Sequence, residues 1–159
     1  MNRGAAILMM LVIAAAMHGQ SPSNLADVPQ AGPDYSGMYS FLQEGEFLQI
    51  TVEDHGEVTG FVSRYSSGQG AERTFVDHFL KQGRIAGGKI SFATEVVQNV
   101  AYIFKGSIER GDGKKLSDEG YYLLKGTLTQ NTSDTNHKTV SKSVQVSFKS
   151  FPQDADEPK

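Results

Sequence analysis

Asp77 and His78 put a carboxylate beside an imidazole, a pairing that can move protons when both groups reach the same atom. Neighbouring side chains on a strand leave opposite faces of a sheet. The two are therefore read as solvated or singly hydrogen-bonded side chains rather than as a dyad. Metal chemistry finds no better footing. The four histidines, at positions 18, 55, 78 and 137, lack His-x-His or HExxH spacing, and Asp112-Gly113 and Asp154-Ala155-Asp156 lack the further ligands of a calcium loop. There is no Gly-x-Ser-x-Gly, P-loop or dinucleotide fingerprint, and no cysteine. No catalytic residue, metal or cofactor is expected.

Polar residues set among apolar ones say more. Arg64 shares a strand face with Val58 and Val62, Lys125 with Tyr121 and Leu123, and Glu95 with Ala93 and Val97. Facing inward, they would give an apolar pocket a few placed polar groups, as a small-molecule site requires. Facing outward, they are solvated positions, and spacing leaves both readings open.

The elements that must carry these residues are strands. Residues 35–65 read as three short strands, with Leu48, Ile50 and Val52 alternating with Gln49, Thr51 and Glu53 and a turn closing at Gly56. A fourth strand is expected over 73–84, with Phe75, Asp77 and Phe79 on one side and Val76, His78 and Leu80 on the other. Both sides are largely apolar, so one face belongs on the core and the other against a further element or a partner. A helix over 73–82 is the alternative there. Beyond the Gly87-Gly88 turn, the alternation of Ile90, Phe92, Thr94 and Val96 marks a fifth strand. Val100 to Ile108 marks a sixth, 120–130 a seventh and about 139–151 an eighth. Gly60 and Gly106 lie inside strands away from turn signals, where a sheet must bend sharply. Eight consecutive strands joined by short turns predict an all-β fold, an eight-stranded antiparallel up-and-down β-barrel. Closure removes the exposed edges of an open sheet.

Composition bounds the rest. The 159 residues are 38% hydrophobic and 21% charged, which fits one domain with short tails. Residues 1–19 read as a signal peptide: Arg3, an apolar run from Ile7 to Ala16, then small residues. That run is too short to span a bilayer, so no membrane span is expected after cleavage. A flexible leader over 20–33, a barrel over 34–151 and a disordered acidic tail over 152–159 follow. Without Arg3, 14 basic residues face 18 acidic ones, a net charge of −4 that argues against nucleic acid. The mature chain is expected to be secreted or periplasmic.

Ser36-Gly37-Met38-Tyr39, then a hairpin and Gly56-Glu57-Val58-Thr59-Gly60, resembles the opening of the calycins, the avidin and lipocalin group of barrels. In those families a Gly-x-Trp closes one end of the barrel, and Tyr39 stands where that tryptophan would be. Avidins grip biotin with tryptophans and with small hydroxyl residues after the Thr-Gly step. This chain has no Trp and offers Phe61, Val62 and Arg64 there, so biotin binding is not carried over. The calycin-like opening, the export signal and the supply of aromatic residues without a catalytic signature together lead to the expectation of a non-enzymatic barrel for a small, mostly hydrophobic ligand near Tyr39, Phe92, Tyr102 and Phe104, with Arg64 or Lys125 orienting a polar end. In the alternative, those aromatics fill the core and an outer apolar face takes a protein partner or a second copy of the chain. A barrel isomerase or cyclase is a third reading.

Overall fold

The turns read at Gly56 and at Gly87-Gly88 are turns, and between them the period-two alternation sorts side chains into a buried and an outer set. The computed structural model describes residues 34–66, 74–136 and 138–153. The expected signal and leader, and the tail beyond Gln153, lie outside the described residues. Eight strands follow in order: β1 (Gly37–Ser40), β2 (Phe47–Val52), β3 (Val58–Tyr65), β4 (Phe75–Ala86), β5 (Lys89–Thr94), β6 (Val100–Arg110), β7 (Tyr122–Ser133) and β8 (Thr139–Lys149). Every neighbouring pair is antiparallel, and sheet order equals chain order. Strand formation, with no helical turn, prevails over 75–86 because Phe75, Val76 and Phe79 each gain a cross-strand partner on β3.

Tight turns fix the register. Gly87 and Gly88 both take positive φ, at 54° and 73°, as the primed two-residue hairpin turn requires. Gln98 and Asn99 do the same at 49° and 62°, held by the Val97–Val100 bridge.

The sheet curls until its ends meet. Tyr39 of β1 bridges Ser150 just past β8, and the Phe151 amide donates to the Met38 carbonyl at 2.8 Å. Lys149 N donates to the Ser40 hydroxyl at 2.9 Å, and the Gln153 side chain donates to the Ser36 carbonyl at 2.8 Å. The ordered domain thus runs two residues into the segment expected to be tail.

Sharp bending needs strand positions without side chains. Gly106 and Gly126 are cross-strand partners on the inner face, and a Cβ on either would run into the backbone of the other's strand. Gly60 meets the same obstacle at the Gln49 carbonyl.

Inside, Leu48, Ile50, Val58, Val62, Ile90, Leu124 and Leu128 are buried with a line of aromatic rings. Phe92 stacks on Phe104 with centroids 5.2 Å apart, and Phe148 bridges Phe104 and Phe41. Outside, a second aromatic row crosses β2 to β4. Phe47, Phe61 and Phe79 meet in sequence, Tyr65 stacks on Phe75 at 4.6 Å, and Phe75 and Phe79 remain 51% and 55% exposed. That row is the apolar outer face expected for β4. Val76 and Leu80 point inward instead.

Candidate functional site at the loop end of the barrel

The β1–β2 and β5–β6 connections, the end of β3 and the start of β4 lie at one end, and there the inner face turns polar. Arg64, one residue from the end of β3, keeps the inward parity of Val58 and Val62. Its Nη1 donates to the Tyr102 hydroxyl at 2.7 Å, and its Nε donates to the Tyr65 carbonyl at 3.0 Å. Because that hydroxyl accepts from Arg64, its own proton is directed elsewhere. Burial raises the Tyr102 pKa, and the Arg64 charge and hydrogen bond partly oppose the rise. The phenol is therefore a donor at neutral pH.

His78 sits against this pair. Its ring meets Tyr102 edge-on at 5.3 Å, the residue is 2% exposed, and Nδ1 has no hydrogen-bond partner among the described residues. Burial lowers the His78 pKa first, and the positive charge of Arg64 lowers it further. A neutral imidazole with one unused nitrogen results. The expectation of a solvated or singly bonded His78 is thus corrected. Only Asp77 faces solvent, and the two do lie on opposite faces.

Thr94 and Glu46 complete the polar lining. The Tyr102 amide donates to the Thr94 hydroxyl at 3.0 Å, which in turn donates to the Glu95 carbonyl at 2.9 Å. The buried Glu46 carboxylate accepts from the amides of Tyr65 and Gln43 and ties the β1–β2 loop to the end of β3.

The wall is incomplete at this end. Val140 and Val144 carry the inner-face parity of the buried Phe148, yet they are 62% and 37% exposed, because β1 is too short to cover that half of β8. The inner face of β8 is thus left open along Val140 and Val144, toward the same end of the barrel as Arg64.

The expected site residues fall into three groups. Tyr102 and Arg64 come together. Phe92 and Phe104 lie deeper in the packed interior, and Tyr39 points toward the opposite end, where its hydroxyl donates to the Tyr35 carbonyl at 2.8 Å. Lys125 is a correction. Tyr122, Leu124 and Leu128 take the inner face of β7, so Lys125 projects outward and forms an ion pair with Glu109 at 3.2 Å, both about half exposed. It cannot orient a ligand inside. Glu95 is likewise exposed past the end of β5. Among the described residues no three His, Cys, Asp or Glu side chains converge as metal ligands would.

Neither a family model nor a curated protein matches the chain. Solved structures do. A rhizavidin–biotin complex aligns with a TM-score of 0.54 at 18% identity, covering 72% of this chain and 98% of that one. Rhizavidin alone gives 0.55 and 18%, over 77% and 87%, and apo short afifavidin gives 0.53 and 15%, over 74% and 96%. The fold is a calycin-like barrel of the avidin type, and at these identities the likeness extends to the fold alone.

Proposed function

We propose that the protein is a non-enzymatic binding barrel, exported from the cell, that takes a small, mostly hydrophobic molecule with an oxyanion or carbonyl end into a trough at its loop end. The observation that carries this reading is the half-buried Arg64 joined to the buried Tyr102 and His78, at the end of the barrel where the inner-face valines of β8 are exposed. A guanidinium, a phenol and an imidazole whose Nδ1 has no partner among the described residues meet at the end of the barrel where Val140 and Val144 are open to solvent. Arg64 and the Tyr102 proton suit a carboxylate or carbonyl oxygen, while Val140 and Val144 suit an apolar body. Biotin is bound by one of the similar structures. The tryptophans that the resemblance requires are missing here, so biotin serves as the non-binding control.

The second reading rests on the exposed Phe75 and Phe79, whose aromatic row fits a protein partner or a second copy of the chain. Native mass spectrometry of protein purified from its own source separates the two. A small added mass, lost in Arg64→Met, supports the trough. A doubled mass, lost in Phe75→Ser/Phe79→Ser, supports the outer face. As a defined probe, the apolar anion 1-anilinonaphthalene-8-sulfonate should bind the wild type and lose at least fivefold in affinity in Arg64→Met. Equal affinity in both would overturn the trough reading.

A further inference from the structure

The outer face of β4, β5 and β6 holds a second, chemically different concavity. β5 presents only Ser91 and Ala93 outward at its middle. The strands on either side present long side chains, so a groove runs along β5 with a floor of small residues. Its two contiguous parts enclose about 560 Å³ and 360 Å³ and share Arg84, Ser91 and Lys105.

Cations line it. Arg84 and Lys105 are the cross-strand partners of Ser91 from opposite sides, so a hydroxyl sits between two positive side chains in one row. Lys89 stands at one end. At the other, the register slips between Leu80 and Gln82, and this bulge leaves Lys81 as the additional residue, exposed on the groove's rim. None of these four cations has a hydrogen-bond or ion-pair partner among the described residues. The one acid lining the groove is Glu57, while Glu109, near Lys89, is committed to Lys125.

Four cations face one lining acid, Glu57, which pairs with Arg84 in a β-bridge just before β3. Positive charge is therefore in excess along this groove of a chain that is negative overall, and it draws an anion. We propose that this groove is a binding site for phosphate-class oxyanions, with Arg84 and Lys105 clamping the anion over the Ser91 hydroxyl and Lys81 and Lys89 meeting further phosphates of the same ligand. Arg84 supplies the planar fork suited to two oxygens of one phosphate, and the lysines act as point charges. The site lies outside the barrel and is independent of the interior trough.

A polyol phosphate or a lipid headgroup offers the same chemistry, and titration with each tells them apart. Inositol hexakisphosphate, followed by calorimetry, should bind the wild-type chain, with affinity falling at least tenfold in Arg84→Glu and in Lys105→Glu. Lys114→Glu, a change of equal charge on the distant β6–β7 hairpin, should leave it within twofold. Co-sedimentation with phosphatidylglycerol vesicles but not phosphatidylcholine vesicles, lost in the same two variants, identifies the headgroup as the source. Two results overturn the proposal: neither probe binding the wild type, or Lys114→Glu weakening binding as much as Arg84→Glu.

Discussion

His78 gives the interior of the barrel a definite response to acid. Its folded-state pKa is lowered by burial and by Arg64, whereas in the unfolded chain it titrates near its ordinary value of 6.5. Below that value the unfolded state binds a proton that the folded state resists, so stability is full above about pH 6.5 and declines as pH falls toward the lowered pKa. Thermal midpoints should drop across that window in the wild type and less so in His78→Leu. The same variant removes an unpartnered buried nitrogen, so at pH 7.5 it should be about 1 kcal/mol more stable in urea. A loss of stability there would mean that Nδ1 contributes a bond in solution. The inward face of Arg64 was legible from Val58 and Val62. That of His78 was not, because β4 is apolar on both sides and alternation alone cannot say which side is the core. Lys125 failed for the same reason, since Tyr121-Tyr122 and Leu123-Leu124 offer β7 two equivalent faces.

At the level of strands, the paired glycines are where the curvature is made. Gly106 and Gly126 face each other across β6 and β7, and each is closed off by the backbone of the neighbouring strand. Gly106→Ala or Gly126→Ala should therefore cost about 3 kcal/mol in denaturant unfolding, near the upper end for overpacking. Gly88→Ala, where only the Ile108 carbonyl comes near, should cost less, mainly through its positive φ. Strand existence and order were readable because the glycines at Gly56 and Gly87-Gly88 punctuate runs of clear period two. The pairing of Gly106 with Gly126 was not, since nothing local in either strand records which residue will lie opposite.

For the whole barrel, closure depends on a short C-terminal segment. Ser150 exchanges backbone hydrogen bonds with Tyr122 and Gly120, and its hydroxyl accepts from the Tyr122 amide at 3.0 Å. Phe151 and Gln153 reach Met38, Ser36 and Leu116. Ending the chain at Lys149 would remove these bonds together and leave the bond from the Lys149 amide to the Ser40 hydroxyl as the hydrogen bond joining β8 to β1 among the described residues. Such a truncation should lower the urea midpoint by several tenths molar or more while the far-ultraviolet spectrum stays that of a sheet. An unchanged midpoint would show that the seam adds nothing to stability. No local pattern marks Ser150 as the closing residue, because its partner Tyr39 lies at the other end of the domain.

The mismatch between a four-residue β1 and an eleven-residue β8 also sets a clock. Along 139–147 the backbone groups turned away from β7 meet no strand among the described residues. Their amide hydrogens should exchange with deuterated solvent in seconds, while those of β6, bonded on both sides, should wait for global opening. Val140 and Val144 lie on this fast-exchanging strand. A molecule seated on them would be detected first as a slowing of β8 exchange, long before any change in the barrel's average shape.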